Sequence, residues 1–237
     1  GAAAASYLVR AGDAAILLDL GQGAFPNLAS TIEPSGLAAV VVSHLHPDHF
    51  IDLVPLRHYL RYEFDPPRRV RVLGPAGLGD RLDALHGHLG FTAVSLDLAP
   101  LAVGSQRIGP FEVEARLVHH TEESYAFRVS VAGAPGTPAG PGLVYSGDCG
   151  RSNDLIPLIR PGDTLLSEAS FGAGQVPAGA EHLTAADAGR AATAGQAARL
   201  LLTHIQMGFD RDEALAAAQS TFAGPVQFVT EGERFEV

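Results

Sequence analysis

Short apolar segments alternate with polar or glycine-rich ones along the whole 237-residue chain. Segments rich in Val, Ile, Leu and Phe and bounded by Gly, Pro, Asp or Ser are typical of β-strands, and longer segments with apolar residues three or four apart predict helices. The predicted strands are 6–10, 14–19, 37–42, 70–75 with its turn, 94–98, 106–108, 111–118, 125–131, 143–146, 163–167, 199–203 and 226–229. The predicted helices are 50–60, 77–89, 185–194 and 211–222.

The order of these elements predicts the architecture. A β-rich start is followed by helices alternating with strands, then by a second β-rich stretch and a second alternation. This order suits two packed sheets with helices outside. Residues 132–142 are rich in Gly and Pro and predict a loop at a hairpin tip. The chain has no internal repeat and no long linker, so we expect one domain over residues 1–237.

One segment concentrates ligand-type side chains between a predicted strand and a predicted helix. It contains His44, His46, Asp48 and His49. His44 and His46 are two positions apart, so an extended backbone points both to the same side. Imidazole and carboxylate groups are preferred ligands of zinc and similar divalent ions. Four such groups exceed what one ion takes from a single loop, so the segment predicts two ions side by side. The alternative is a His-rich surface loop.

Ligand-type residues also follow three later predicted strands. They are the pair His119 and His120, then Asp148, and then His204. Taken alone, Asp148 also suits a turn beside a glycine, and His204 also suits a buried, hydrogen-bonded position. Together with the segment around His44, a metal site is the favoured interpretation, because a dinuclear site needs about three further ligands.

The His-x-His-x-Asp-His segment resembles the motif of the metallo-β-lactamase-fold superfamily, and the resemblance extends over nearly the whole chain. It implies the α+β class, as an αββα four-layer sandwich. It implies one ion on His44, His46 and His120, a second ion on Asp48, His49 and His204, and Asp148 as the bridge. In similar members an aromatic residue opens the strand after the third ligand. Tyr125, five positions further on, therefore favours His120 over His119.

A further segment near the start of the chain resembles part of this superfamily. An apolar strand ending in Asp19-Leu20-Gly21 implies that Asp19 lies beneath the metal site and orients a ligand, although a turn-initiating aspartate is an equal alternative. Family members usually have another strand, with a glycine-rich loop, before this hairpin. Either the protein lacks that first strand, or the strand precedes the first residue of this sequence.

The Glu-Ala-Ser sequence that begins at Glu168 and the His-Leu-Thr sequence that begins at His182 resemble motifs of an RNase Z-like phosphodiesterase branch. This resemblance implies that His182 donates a proton or stabilises charge at the scissile phosphate. It implies that Glu168 holds the tautomer of His182 and raises its pKa. The alternative is a surface histidine before a helix. RNase Z enzymes carry a long arm that clamps tRNA, and residues 121–147 leave no room for one, so we expect no tRNA partner.

Composition narrows the class of partner further. The formal net charge is −10, and no lysine is present, which argues against broad binding to a nucleic-acid backbone and rules out a Schiff-base or P-loop lysine. The single cysteine, Cys149, excludes an internal disulfide. No apolar run is long enough for a membrane span, so we expect a cytoplasmic protein without a membrane partner. The bias towards Ala, Gly and Arg suggests a GC-rich bacterial genome.

We therefore expect a dinuclear metal-dependent hydrolase, and specifically a phosphodiesterase acting on a small phosphodiester such as a cyclic nucleotide. Its two divalent ions would be Zn²⁺, with Mn²⁺ or Fe as alternatives. Asp48 would orient the attacking hydroxide, and His182 with Glu168 would assist the leaving oxygen. The rivals are a lactonase or other ester hydrolase on the same fold, and a non-catalytic protein that keeps metal for stability. A homodimer is left open.

Four further charged or titratable side chains receive weaker assignments. Arg57 and Arg61 are four apart on the predicted helix 50–60 and are candidates for binding a phosphate, with a solvent-facing position as the alternative. His86 and His88 do not share a helix face, because they are two positions apart, and we expect both at the surface.

Overall fold

The computed structural model describes residues 3–133 and 140–237. The chain separates into two compact units, which we call the N-terminal unit (Gly1–Ala102 with Ile108–Pro110) and the C-terminal unit (Val103–Arg107 with Phe111–Val237). One domain over the whole chain remains a prediction. Most of the predicted loop 132–142 lies outside the described residues.

The N-terminal unit contains one five-stranded sheet of order β1-β2-β3-β4-β5. Its strands are β1 (Tyr7–Ala11), β2 (Ala14–Leu18), β3 (Ala39–Val41), β4 (Val70–Gly74) and β5 (Leu96–Pro100). Its helices are α1 (Phe25–Thr31), α2 (Pro47–Phe50), α3 (Leu53–Tyr62) and α4 (Leu78–His86). β1 and β2 form an antiparallel hairpin, and β2 to β5 run parallel, so each parallel strand needs a crossover connection.

An apolar core fills this unit. Alternate strand residues such as Leu17, Val40 and Val72 belong to one buried cluster with the inward residues Leu56 and Leu60 of α3. Helix α1 was not predicted, because its seven residues bury only Leu28 and so give too weak a periodic pattern.

The C-terminal unit contains a seven-stranded sheet of order β12-β11-β10-β9-β8-β7-β6. Its strands are β6 (Gly104–Ile108, whose last residue clusters with the N-terminal unit), β7 (Phe111–Leu117), β8 (Tyr125–Val131), β9 (Leu143–Tyr145), β10 (Thr164–Glu168), β11 (Arg199–Thr203) and β12 (Val226–Phe228). Its helices are α5 (Ala185–Ala194) and α6 (Arg211–Gln219). The strands β9 to β12 are parallel, and β8 is antiparallel to both β7 and β9.

Small residues let α5 and α6 pack closely. Ala188 and Ala192 of α5 share a buried cluster with Ala214 and Ala218 of α6. A Cβ atom on Gly189 would lie 2.7 Å from the carbonyl oxygen of Ala218, so this contact requires glycine.

All twelve predicted strands are present, with ends shifted by a few residues, and the predicted α+β class is confirmed. The predicted helix 50–60 is divided into α2 and α3, and the predicted helix 211–222 ends at Gln219. Among the described residues, no helix is long and apolar enough to cross a membrane.

Candidate metal centre and proton donor

The predicted ligands of the N-terminal unit gather at one edge of its sheet. The strands β2 and β3 are parallel, so their carboxyl ends, which lead into Asp19 and Ser43, meet at the same edge. The Asp19 backbone N–H donates to the Val41 carbonyl at 2.9 Å, and Asp19 has a φ of 60°. A left-handed backbone is uncommon for a residue other than glycine and is often found at functional sites.

The buried Asp19 carboxylate anchors the metal-type segment. It accepts the Ser43 backbone N–H at 2.6 Å and the Ser43 hydroxyl at 2.8 Å. It also lies 2.7 Å from Nδ1 of His49, which is fully buried. Because a carboxylate accepts, His49 carries its proton on Nδ1, and Nε2 keeps a lone pair for a ligand. Asp19 therefore makes the contact expected of a residue that orients a ligand.

His44 and His46 point to a common place, as their spacing predicts. Nε2 of His44 lies 3.1 Å from Nδ1 of His46. Two imidazole nitrogens at this distance share either a proton or a cation. Asp48, on the short helix α2, is half exposed, and its carboxylate lies 3.8 Å from Nε2 of His49.

The predicted ligands of the C-terminal unit also meet at one sheet edge. The strands β7, β9, β10 and β11 run in the same direction, because β8 is antiparallel to both of its neighbours. Their carboxyl ends lead, in this order, to His120, Asp148, Glu168 and His204. Side chains beyond the carboxyl ends of neighbouring strands commonly form ligand sites.

Asp148 lies between two of the predicted histidine ligands. Its Oδ2 is 3.8 Å from Nε2 of His120, and its Oδ1 is 3.6 Å from Nε2 of His204. Two oxygens that each face a different histidine suit a bridging carboxylate. The neighbouring thiol is not a ligand candidate, since burial raises the pKa of Cys149 to about 12.

The environments of His119 and His120 differ. The His120 side chain is only 5% exposed, and its Nδ1 donates to the backbone carbonyl of Glu181 at 2.8 Å. This bond leaves Nε2 free of a proton on the side of Asp148. The His119 side chain is 41% exposed and pairs with the Glu181 carboxylate at 3.0 Å. The geometry supports His120 as the ligand, and the assignment stays a proposal.

Glu168 and His182 form the pair that the sequence predicts. Nδ1 of His182 lies 3.0 Å from Oε1 of Glu168, and the ring is 17% exposed. Burial alone would lower the pKa of His182, but the hydrogen bond and charge of Glu168, together with the charge of Asp148, raise it above its ordinary value.

Asp148, His182 and His204 are close enough to form a ligand group of their own. The His182 atom nearest Asp148 is the protonated Nδ1, 3.9 Å away, which cannot ligate an ion.

Two serines were missed as site residues. The Ser43 hydroxyl lies 3.1 Å from Nδ1 of His44, and the Ser170 hydroxyl lies 3.0 Å from Nδ1 of His204. Their proximity in sequence to His44 and Glu168 was a signal that could have found them. His204, like Asp19, has a positive φ, of 51°, which its residue type does not predict.

The weaker assignments need corrections. Arg57 is buried rather than solvent-facing: its Nε donates to the Phe91 carbonyl, and its guanidinium lies 3.5 Å from the centroid of the Phe91 ring. We therefore do not propose Arg57 for phosphate binding. Arg61 is partly buried with its guanidinium 5.4 Å from the Tyr62 ring, and its role stays a prediction. His86 is partly buried rather than fully exposed, and its ring stacks on Phe91 with the ring centroids 3.6 Å apart.

The donor atoms of both units fit divalent metal ions. The N-terminal unit offers three imidazoles and a carboxylate within one segment, and the C-terminal unit offers two imidazoles on either side of a shared carboxylate. In each unit a backbone carbonyl, carboxylate or hydroxyl contacts Nδ1 of a ligand-type histidine and leaves Nε2 for an ion. Such a contact is usual for metal-binding histidines. This set of nitrogen and carboxylate donors is typical of Zn²⁺ and similar ions.

Comparisons with known proteins agree with this geometry. Residues 15–205 match the profile of the Beta-lactamase superfamily domain. An uncharacterized protein of Mycobacterium leprae is 34% identical over 99% of this chain and 82% of its own length. The probable metallo-hydrolase YhfI of Bacillus subtilis is 28% identical over 97% of this chain and 91% of its own length. The crystal structure of YhfI, a metallo-beta-lactamase fold protein, gives a TM-score of 0.84 at 26% identity and covers 99% of this chain and 92% of YhfI. A ribonuclease Z of Salinispora arenicola is 27% identical over 95% of this chain and 87% of its own length.

Proposed function

The chain belongs to the beta-lactamase superfamily and is related to its metallo-hydrolases, and we propose that it is a dinuclear phosphodiesterase acting on a small phosphodiester such as a cyclic nucleotide. The contact between Glu168 and His182 carries this proposal. An alkoxide leaving from phosphorus needs a proton or a compensating charge as it departs, and His182 paired with Glu168 can supply either. The similarity to a ribonuclease Z supports phosphodiester chemistry.

The proposed ligand assignment follows the one that the sequence motif implies. It gives one ion His44, His46 and His120, the other ion Asp48, His49 and His204, and both ions the Asp148 carboxylate. When bound, two such ions lower the pKa of water and neutralise charge on phosphoryl oxygens. The donor atoms favour Zn²⁺, with Mn²⁺ or Fe as alternatives.

The protein's own groups would move two protons. The half-exposed Asp48 carboxylate is the candidate to accept a proton from the attacking water. His182 keeps Nδ1–H against Glu168, so Nε2 is the atom that can donate to the leaving oxygen. Because the pKa of His182 is raised, a larger share of its rings carries that second proton at neutral pH. We place this proposed enzyme in the cytoplasm, and we expect neither a tRNA substrate nor a membrane partner.

Hydrolysis of bis(p-nitrophenyl) phosphate by the metal-loaded protein tests this function. We expect wild type to cleave it and His182→Ala to lower kcat by about 10²–10⁴-fold, the range for loss of a general acid, with metal content unchanged. The KM should change less, because the interaction is made mainly in the transition state. His88→Ala, which removes an exposed histidine, is the matched control and should keep wild-type activity.

Two results would count against the phosphodiesterase assignment. One is full phosphodiesterase activity in His182→Ala. The other is a wild type that cleaves lactones readily and phosphodiesters not at all, which would favour the ester-hydrolase rival. A protein that binds metal and cleaves neither class would favour a stabilising role for the metal.

A further inference from the structure

We propose that Ser170 is a positioning residue that holds His204 in the tautomer and orientation needed to bind a metal ion. The proposal rests on the proposed role of His204 as a ligand. Ser170 is completely buried two residues beyond β10, and its hydroxyl lies within hydrogen-bond distance of three site residues: Glu168, His182 and His204.

The directions of these hydrogen bonds follow from what each group can donate. The Ser170 hydroxyl lies 2.5 Å from Oε2 of Glu168, and a carboxylate can only accept. The single hydroxyl proton therefore points to Glu168, and the lone pairs of Oγ remain as acceptors. Nδ1 of His204, 3.0 Å away, faces those lone pairs, so it must be the nitrogen that carries the proton.

This bond determines which nitrogen of His204 can bind a metal. With the proton on Nδ1, Nε2 keeps its lone pair, and Nε2 lies 3.6 Å from Oδ1 of the proposed bridging Asp148. His204 comes directly after β11 with a left-handed φ of 51°, so neither a strand nor a helix fixes its ring. A buried hydroxyl on the far side of the ring supplies that constraint.

The N-terminal unit contains the same arrangement of groups. The Ser43 hydroxyl donates to Oδ2 of Asp19 at 2.8 Å and lies 3.1 Å from Nδ1 of His44. In both units a buried carboxylate thus takes the serine proton, and the serine oxygen faces the outer nitrogen of a ligand-type histidine. Two independent occurrences in one chain indicate a device for orienting ligands rather than a chance contact.

Glu168 thereby serves two histidines. Its Oε1 accepts from His182, and its Oε2 accepts from Ser170, which in turn faces His204. The proposed proton donor and the proposed ligand are therefore aligned by the same buried carboxylate. Loss of the Ser170 hydroxyl should disturb the ligand while Glu168 continues to hold His182 directly.

Zinc affinity, measured by competition with a chelator, tests this role. We expect Ser170→Ala to raise the dissociation constant for the more weakly bound Zn²⁺ by about 10–100-fold, the usual effect of losing a partner of a metal-bound histidine. Ser170→Thr keeps a hydroxyl and should restore much of the affinity. Ser167→Ala is the matched control, because Ser167 is equally buried but its hydroxyl bonds only to the Glu168 backbone carbonyl.

A spectroscopic measurement gives a second test that does not depend on zinc affinity. In zinc-loaded protein with ¹⁵N-labelled histidines, His204 should show a proton on Nδ1 that exchanges slowly with water, and Ser170→Ala should lose that protection. His204→Ala assigns the signal.

The outcomes separate this proposal from the proposed function. Zinc binding by Ser170→Ala as tight as that of Ser167→Ala, or a wild-type His204 with its proton on Nε2, would overturn the role of Ser170. If His204→Ala itself bound two zinc ions with wild-type affinity, the ligand assignment would fail, and the Ser170 proposal with it. Loss of affinity in Ser170→Ala would stand as support even if the substrate proved not to be a phosphodiester.

Discussion

The two units hold their histidines with the same pair of groups but leave the rings differently exposed. In the N-terminal unit Asp19 bonds directly to His49, and the His49 ring is completely buried. In the C-terminal unit Glu168 bonds directly to His182, and that ring is 17% exposed. A buried ring can bind only an ion next to it, whereas a partly exposed ring can also reach a substrate. This difference agrees with the proposed role of His49 as a ligand and of His182 as a proton donor, because of these two rings only that of His182 is open to a substrate.

His120 extends this comparison to a ring held by a backbone carbonyl, and its loss should have the largest effect. We expect His120→Ala to abolish metal-dependent hydrolysis, because it removes the proposed ligand whose Nε2 faces Asp148. His119→Ala removes an exposed neighbour and should keep a substantial part of the activity. Steady-state kinetics of both variants, with elemental analysis of each, provides the measurement. The reverse ranking would show that the wrong histidine has been assigned as the ligand.

Conservative changes to the two carboxylates should produce smaller and different losses. Asp19→Asn should weaken metal binding by about 10–100-fold, because it disturbs the hydrogen-bond partner of the proposed ligand His49. Glu168→Gln should keep more of the metal affinity than Asp19→Asn. It should lower kcat by less than His182→Ala, since a neutral amide still positions the His182 ring but no longer raises its pKa by its charge. Chelator competition and kcat, measured on the same preparations, would show the two patterns.

A buried aspartate of the N-terminal unit provides the control for these variants. Asp52 accepts the Phe25 backbone N–H at 2.9 Å and contributes to holding α1, so Asp52→Asn should leave metal affinity near wild type. If Glu168→Gln weakened metal binding more than Asp19→Asn did, the distinction between ligand and proton donor would be lost.

The sequence predicted the two units unequally well. The proposed ligands of the N-terminal unit lie within one segment, His44 to His49, so residue type and spacing are enough to propose them. Those of the C-terminal unit are up to 84 positions apart, from His120 to His204, and come together only because β7, β9, β10 and β11 end at one edge. Single residues after strands have weak individual signals, and the family motif was needed to select them.

Other features had no sequence signal that local reasoning could use. Arg57 fits an exposed helix position, yet it packs on Phe91, which is 34 residues away. The left-handed backbones of Asp19 and His204 are set by tertiary contacts rather than by residue type, because glycine would be the ordinary choice there. The contact between the Ser170 hydroxyl and His204, which is 34 positions away, also depends on the fold.

The metal content of the purified protein decides whether the centre is dinuclear. We expect close to two transition-metal ions per chain by elemental analysis of protein prepared without a chelator and supplied with zinc. We also expect Asp148→Ala to lose most of both ions, since this carboxylate is the proposed bridge. One ion or none in fully loaded wild type, or two ions retained by Asp148→Ala, would contradict the dinuclear centre.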